Sequence, residues 1–467
     1  MLSWLRSFLV APSLLVLALV AGCGTDPLGL LRDAGFEEAD GEGVAFDSGF
    51  GSRDAVADED ALAVPDVGPS DSGIDDVGTP SLDATPADVG APDLGGPDAG
   101  PADAGVQACG FDVYGPADRP RVVLVGQPFT SNPPVNGTVI RTMLLPVSGT
   151  LTDVNTRIDV GFRPSRIEFV PSGTFAIAIG EDGDVASLRV VSETNVSVVD
   201  HLALPRGGFK DLRILSDGQT ILAMNSDVGA TSGIYTLHID CDGRLSQDSA
   251  AFYNLRLADS LAFAGSESLA VVLGGQAVFA PVDNNDLRLF SRVNGRFTEI
   301  AAFDLWSDAI DAARIAVSPD GHTLIVPNGS PFSAQGATVM IASVGPTTIN
   351  SPRILTNMGD AREALFSPDG QTALVTLLEP GKVVVFADRG AGFVETERKS
   401  GIGLAEQMAM VSRGSLSGRV LLPSVDGNGG PNIASLQITG PGVVTDLGQV
   451  NIGMSSEDIP EAIAVTP

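Results

Sequence analysis

The chain has 467 residues, a formal net charge of −31 at pH 7, and only three histidines and three cysteines. So acidic a balance argues against nucleic acid as a partner, because phosphate backbones are held by clustered lysines and arginines. The three histidines have no metal-ligand spacing, and the sequence contains neither a phosphate-binding loop nor an activated-serine motif.

Residues 1–22 have the pattern of a secretory signal peptide. Arg6 precedes an apolar run from Phe8 to Val20, which at 13 residues is too short to span a bilayer. The run leads into Leu-Val-Ala-Gly-Cys, residues 19–23, which resembles the lipobox of bacterial lipoproteins. The resemblance implies acylation of Cys23 and anchoring in a membrane leaflet. Gly24 follows in place of the aspartate that retains lipoproteins at the inner membrane, which favours the outer membrane of a Gram-negative bacterium.

Residues 23–107 form a segment dominated by Asp, Ala, Gly and Pro. From position 25 to 107 it carries twenty acidic residues against two arginines. Low hydrophobicity with high like charge predicts a disordered, self-repelling chain, so we expect a flexible linker or stalk. Weak calcium capture by these aspartates is an alternative, although irregular spacing on a mobile chain makes a poor site.

A repeated hairpin organises residues 108–467. Its clearest copy is Ala313 to Val326, in which apolar runs flank the turn Ser-Pro-Asp-Gly, and a second copy surrounds Gly370. Proline presets φ at the first corner, aspartate bonds nearby backbone N–H groups, and glycine adopts positive φ. Weaker copies surround Gly173 and Gly218, and a degraded copy ends at Glu267 without proline or the turn glycine.

The spacing of these turns selects an architecture. Aligned copies fall at positions 173, 218, 267, 321 and 370, at intervals of 45, 49, 54 and 49 residues. Four short strands and their turns need about 40 to 50 residues, which is one blade of a β-propeller. We therefore predict an all-β fold.

The two ends of this region complete one another. Residues 460–467 match the first half of the repeat, and 119–162 supply the remaining strands, so the termini are predicted to share one blade. Six further blades are predicted to start near 163, 206, 255, 307, 359 and 405, which gives seven. The turn at 413–418 is irregular, and six or eight blades are the alternatives.

Turns of this kind at blade spacing resemble the bacterial YVTN or lactonase-like β-propeller proteins, relatives of the WD40-like class. The resemblance covers about 110–467. It implies the propeller fold, and it leaves function open because the group includes hydrolases, redox subunits and surface-layer proteins.

Charged residues recur seven or eight positions before each turn. In propellers this place lies at a mouth of the central channel, where the side chains could bind an anionic or polyhydroxylated ligand, or polarise a lactone carbonyl. Salt bridges that tie blades together are the alternative. The candidate residues are Arg166, Lys210, Asp211, Asp259, Arg314, Arg362, Glu363 and Glu461.

Two cysteines remain beside the acylation site. An even pair in an exported protein permits a disulfide between Cys109 and Cys241, and two separate thiols are the alternative. No cofactor or metal is predicted, apart from the alternative of a calcium ion in the channel.

The sequence supports two functional hypotheses, one for a binding protein and one for an enzyme. The leading one is a monomeric, membrane-anchored envelope lipoprotein whose propeller is a scaffold for a protein or a small ligand. The alternative is a lactonase-like hydrolase acting at the channel mouth. A third possibility is a structural part of an envelope complex, which differs from the scaffold chiefly in binding its partners permanently.

Overall fold

Each hairpin repeat forms the two inner strands of a four-stranded antiparallel sheet, and seven such sheets make up the fold. The computed structural model describes residues 118–126, 137–227, 229–274, 276–277, 280–281, 285, 287–304, 314–329, 337–378, 381–402, 407–425, 431–452, 460 and 462–467. All seven sheets lie in one unit of the chain, Pro97–Pro467. The predicted seven-bladed propeller is confirmed.

Six blades are built from strands that follow one another in sequence. Blade 1 contains β4 (Pro164–Phe169), β5 (Phe175–Gly180), β6 (Asp184–Ser192) and β7 (Asn195–Ala203). Blade 2 contains β8 (Phe209–Ile214), β9 (Thr220–Asn225), β10 (Gly233–Ile239) and β11 (Leu245–Asn254). Blade 3 contains β12 (Ser260–Phe263), β13 (Leu269–Leu273), β16 (Leu287–Val293) and β17 (Arg296–Phe303), with a hairpin of β14 (Gln276–Ala277) and β15 (Ala280–Pro281).

The next three blades repeat this order. Blade 4 contains β18 (Ala316–Val317), β19 (Thr323–Asn328), β20 (Thr338–Val344) and β21 (Ile349–Thr356). Blade 5 contains β22 (Ala361–Phe366), β23 (Thr372–Leu377), β24 (Lys382–Asp388) and β25 (Phe393–Ser400). Blade 6 contains β26 (Ala409–Met410), β27 (Arg419–Val425), β28 (Pro431–Gly440) and β29 (Val443–Asn451).

The seventh blade joins the two ends of the propeller. It contains β1 (Arg121–Gly126), β2 (Val139–Leu145), β3 (Thr152–Asp159) and β30 (Ala462–Val465). The C-terminal strand β30 is innermost and pairs antiparallel with β1, from Val123 opposite Val465 to Gly126 opposite Ala462. Hydrogen bonds across this pair close the ring, as the matching half-repeats predicted.

The Ser-Pro-Asp-Gly turns have the predicted chemistry. In blade 4, Gly321 has a φ of 79° and its N–H donates to Ser318 O at 2.8 Å. Asp320 Oδ1 accepts the backbone N–H of His322 at 3.0 Å, and Ser318 Oγ accepts that of Thr323 at 2.9 Å. Blade 5 repeats these bonds around Gly370. The turn satisfies its own backbone donors, which is why a short motif can specify it.

Two turns depart from the repeat. In blade 3, the degraded copy does contain a left-handed glycine, Gly265 with a φ of 73°, two positions before Glu267. The Ser266 N–H donates to Ala264 O at 2.8 Å, so this turn differs in backbone conformation from those at Gly321 and Gly370. In blade 6, the irregular turn contains a short 3-10 helix, Gly414–Leu416, and β26 has only two residues.

The apolar core lies between neighbouring blades. One buried cluster combines Val122 and Ile140 of the seventh blade with Ile167 and Ala176 of blade 1. Another joins blades 3 and 4 through residues such as Val271 and Leu324. Because each blade buries both sheet faces against its neighbours, its second and third strands read as nearly continuous apolar runs.

Strand alternation gives the ring two distinct faces. The hairpin face carries the turns between first and second strands, at 170–174, 215–219, 318–322 and 367–371. The loop face carries the connections between blades, including 204–208 and 357–360. The innermost strands run from the loop face to the hairpin face and surround the central channel.

Several predictions fall outside the described residues. They are the signal peptide at 1–22, the linker at 23–107, acylation of Cys23, and the roles of Cys109 and Glu461. Within the described ranges, no helix is long and apolar enough to cross a membrane.

Candidate functional site

The innermost strands bring charged side chains together in the centre of the ring. On β4 these are Arg166 and Glu168, and on β8 they are Asp211 and Arg213. Residues two apart on a strand lie on the same face, so each strand contributes a neighbouring acid and base at successive levels of the channel. Arg314 before β18 and Glu363 on β22 complete a set of six, which we call the central charge cluster.

The ion pairs of the central charge cluster cross the ring. Arg166 Nη1 lies 3.5 Å from Glu363 Oε2, which joins blade 1 to blade 5. Arg314 lies 3.1 Å from Glu363 and 3.5 Å from Asp211, and it also pairs with Glu168. Arg213 Nη2 lies 3.1 Å from Asp211 Oδ2. Three arginines and three carboxylates balance, so the cluster is neutral.

Burial and charge act in opposite directions on these groups. Burial opposes ionisation of Asp211, but the three arginines and the Ser260 hydroxyl outweigh it and hold the pKa of this carboxyl below its usual range. Burial also opposes the charge on Arg314, yet the carboxylates of Glu168, Asp211 and Glu363 together raise the pKa of this guanidinium. Both groups are therefore charged at neutral pH.

The pKa of Arg213 shifts the other way. Burial, followed by repulsion from Arg314, lowers it to about 10 despite the neighbouring Asp211 and Glu168. At Arg213, burial and repulsion therefore outweigh the attraction of the two carboxylates.

Polar side chains of the innermost strands and their flanking residues link five pairs of neighbouring blades. Asp211 Oδ2 accepts the Leu261 N–H at 3.3 Å and the Ser260 hydroxyl at 2.6 Å. Ser260 Oγ in turn accepts the Ile315 N–H at 3.1 Å. Three more side-chain acceptors continue the pattern: Glu168 bonds Ile214 N, Glu363 bonds Met408 N and Gln407 bonds Ile463 N. Each bond satisfies an innermost backbone donor of the following blade.

A second group of charges lies at the loop-face end of the channel. Lys210 Nζ lies 3.4 Å from Asp259 Oδ1, and the lysine side chain is 46% exposed. Arg362 Nε lies 2.7 Å from Asp360 Oδ1, and both side chains are partly exposed. We call these four residues the loop-face mouth.

The structure thus divides the residues predicted from the sequence. Arg166, Asp211, Arg314 and Glu363 are buried together in the central charge cluster, whereas Lys210, Asp259 and Arg362 lie at the loop-face mouth. Ligand binding by either group stays a prediction. Glu168, Arg213 and Asp360 were not among the residues predicted from the sequence. The first two could have been found from the spacing Arg-x-Glu at 166–168 and Asp-x-Arg at 211–213, which puts both charges on one strand face.

The described residues also include one disulfide-bonded cysteine. Cys241 is disulfide-bonded, and its partner lies outside the described residues, so pairing with Cys109 stays a prediction. Among the described residues, no group of three or more His, Cys, Asp and Glu side chains could hold a metal ion.

Comparison with solved structures finds many propellers. A putative 6-phosphogluconolactonase from Bacteroides fragilis matches with a TM-score of 0.57 and 14% identity, over 75% of this chain and 99% of that one. The periplasmic gluconolactonase of Pseudomonas aeruginosa matches with a TM-score of 0.54 and 14% identity, over 74% and 99%. A protein from Lactobacillus plantarum gives a TM-score of 0.58 at 11% identity, over 74% and 100%.

Sequence comparison alone finds no relative. No family model matches the chain, and no curated protein matches it. The structural likeness, at these identities, concerns the fold: the chain has the seven-bladed propeller of the lactonase-like proteins, as its turns predicted.

Proposed function

We propose that the protein is a lactone hydrolase that works at the loop-face mouth. The observation that carries this proposal is the placement of two acid–base pairs, Lys210–Asp259 and Arg362–Asp360, at one partly exposed end of a channel that is filled with paired charges below. The names of the structural neighbours from Bacteroides fragilis and Pseudomonas aeruginosa support the same class of substrate.

The chemistry needs a base and a cation on opposite sides of one carbonyl group. The Asp259 carboxylate takes a proton from water, whose oxygen then bonds to the lactone carbonyl carbon. Lys210 or Arg362 stabilises the negative charge on the carbonyl oxygen. The ring C–O bond breaks, the alkoxide takes back the proton, and the product is an open-chain hydroxy acid.

The test is a lactone-hydrolysis screen of the mature chain with five- and six-membered lactones, including gluconolactone and its 6-phosphate. We expect turnover by the wild-type chain, and Asp259→Asn should lower kcat/KM by at least about 100-fold, the typical contribution of a general base. Acid release is followed with a pH indicator after subtraction of spontaneous hydrolysis.

The matched control is an ion pair on the outer edge of blade 5. Arg398 Nε lies 2.7 Å from Glu395 Oε1, and the two side chains are 34% and 36% exposed, between the values of Asp259 and Lys210. Glu395→Gln should leave kcat/KM unchanged. Failure of the wild-type chain to open any lactone in the screen would overturn the proposal, as would full activity in Asp259→Asn.

A second candidate function is a non-catalytic binding scaffold. The observation that favours it is the central charge cluster, in which the buried carboxylates are fully engaged by arginines and by backbone donors. In this case the loop face binds an envelope protein or a small ligand without turning it over. Capture of a ligand that dissociates chemically unchanged, with no hydrolysis of any lactone, would favour the scaffold.

The location of the protein is part of the same proposal. Acylation of Cys23 would tether the propeller to the outer membrane, and residues 23–107 would act as the linker that holds it away from the lipid surface. Mass spectrometry of the mature N-terminus tests this, and a free Cys23 thiol would contradict it.

A further inference from the structure

The hairpin-face half of the channel contains two neighbouring pockets, which we call its lobes. One lobe, of about 230 Å³, is lined by residues from β4, β22, β26 and β30. The other, of about 320 Å³, is lined by residues from β8, β12, β18 and β22. Together the linings include all seven innermost strands, and both contain Arg314 and Leu365. The two lobes therefore share part of their walls.

Small residues on the innermost strands make room for these lobes. Blades 3, 4 and 7 place Ala262, Ala316 and Ala464 at the level where blades 1 and 2 carry Glu168 and Arg213. Long side chains here would fill the channel, as charged ones do one level closer to the loop face. The alanines leave space next to the central charge cluster.

The larger lobe is lined mainly by apolar side chains, among them half-buried Phe263, Val317 and Leu365. The smaller lobe also has Glu168 and Gln407 in its lining, so its wall is more polar. Apolar walls around a few convergent polar groups are typical of small-molecule sites. A hydrocarbon chain would gain most from replacing water against these walls.

One guanidinium supplies the polar group. Arg213 donates through Nε to Leu261 O at 2.6 Å and through Nη2 to Ile315 O at 3.2 Å. Its Nη1 has only Glu168 Oε1 nearby, at 3.8 Å, which is beyond hydrogen-bond distance. Among the described residues, this Nη1 has no hydrogen-bond acceptor, and it belongs to a lining residue of the larger lobe.

Charge favours an anion over a neutral head group. Arg213 and Arg314 both line the larger lobe, and no carboxylate among the described residues does. Glu168, which pairs with both arginines, lines only the smaller lobe. The lowered pKa of Arg213 reflects burial and repulsion from Arg314, and an anion at Nη1 would offset both. A carboxylate suits a guanidinium because the two form charge-assisted hydrogen bonds.

We propose that the larger lobe binds a small carboxylate with an apolar chain, with the carboxylate at Arg213 and the chain against Phe263, Val317 and Leu365. The site is separated from the loop-face mouth by the central charge cluster. Binding here does not depend on the proposed hydrolase activity.

The test is calorimetric titration of the mature chain carrying Cys23→Ser, which removes the proposed acyl anchor. Octanoate is the probe, with 1-octanol and octylammonium as uncharged and cationic analogues of the same chain length. We expect saturable one-site binding of octanoate, at least about tenfold tighter than that of either analogue. Equal binding of all three, or no saturable binding of octanoate, would overturn the proposal.

Two variants place the site. Ala316→Phe fills the larger lobe and should weaken octanoate binding at least tenfold, whereas Glu395→Gln on the outer strand should not change it. Arg213→Gln should remove the preference for octanoate over octanol. If Arg213→Gln does not fold, the affinity of Ala316→Phe for octanoate and the comparison of the three ligands test the proposal instead. Unchanged octanoate affinity in a folded Ala316→Phe variant would contradict the assignment.

Discussion

The central charge cluster and the loop-face mouth use adjacent residues of the same strands for different purposes. Lys210 is 46% exposed while Asp211 is fully buried, and partly exposed Arg362 precedes fully buried Glu363. The difference follows from strand alternation, which turns successive side chains to opposite faces. Buried charges must be paired where they lie, because an unpaired charge in the interior is costly. At the mouth, Lys210 and Arg362 are partly exposed, whereas Asp259 is only 9% exposed and is paired with Lys210, so solvent reaches this end of the channel mainly at its cations.

Replacement of one buried charge should have the largest effect on stability and so test most directly whether the central charge cluster holds the ring together. Asp211→Asn keeps the shape of the side chain and leaves three arginines opposite only two carboxylates. We expect a loss of about 3–5 kcal/mol in the free energy of unfolding, typical of breaking a buried ion pair from one side. Urea unfolding followed by circular dichroism measures it. A loss below about 0.5 kcal/mol would show that the cluster does not hold the ring.

The pH dependence of stability should report the same group. Because the pKa of Asp211 is lowered in the folded state, its contribution is fully present above the unfolded pKa, near about 3.9. It is lost as the pH falls through the lower folded value. Between pH 5 and pH 2 the wild-type chain should therefore lose more stability than Asp211→Asn. Parallel profiles for the two chains would contradict this assignment.

The turn glycines allow a matched test of backbone approach. Gly321 and Gly370 have φ values of 79° and 70°, so alanine at either should cost about 1–2 kcal/mol. A Cβ on Gly321 would lie 2.3 Å from Gly265 N in blade 3, whereas one on Gly370 would lie 3.3 Å from a Pro319 ring carbon. Gly321→Ala should therefore be the more destabilising of the two in urea unfolding. The opposite order would show that contact between blades 3 and 4 does not limit this turn.

Loss of one inter-blade bond should have a comparable or smaller effect. Ser260→Ala removes the hydroxyl that donates to Asp211 and accepts the Ile315 N–H. We expect a cost of about 1–3 kcal/mol for the donor left unsatisfied in a buried site. Amide hydrogen exchange at Ile315 should also become faster. Unchanged exchange there would contradict the role of Ser260 as a link between blades 3 and 4.

Removal of a mouth charge should have the smallest effect on stability. Lys210→Met should lower the free energy of unfolding by about 1 kcal/mol, because the lysine is 46% exposed while its partner Asp259, at 13%, loses a counter-charge. Glu395→Gln, in the exposed pair of blade 5, provides the matched reference. A destabilisation as large as that of Asp211→Asn would place Lys210 in the structural network.

The sequence predicts the fold well because the turns carry their own chemistry. Residues 318–321 and 367–370 specify a hairpin locally, and the C-terminal half-repeat supplies the innermost strand that β1 lacks in sequence, with 462–465 paired to 123–126. The turn of blade 3 is less predictable from the sequence because its left-handed glycine lies at position 265, two positions before the aligned turn position.

The sequence predicts the site less well because the site depends on the whole ring. The spacing of Arg166 and Asp211 before their turns indicated the innermost strands, but which charges meet depends on contacts such as Arg166 with Glu363 across the channel. Lys210 is exposed and Asp211 is buried, although the repeat places both together, seven or eight positions before the turn. The cavity at Arg213 arises from alanines on three blades, and no single repeat contains that information.

The most direct test is to measure lactone hydrolysis and the unfolding midpoint together in Asp259→Asn and Asp211→Asn, at a temperature where both chains are folded. The account predicts that Asp259→Asn loses turnover with an unchanged midpoint, and that Asp211→Asn has a lowered midpoint while its folded molecules keep turnover. Full turnover in Asp259→Asn, with turnover lost and the midpoint unchanged in Asp211→Asn, would contradict the division between mouth and cluster.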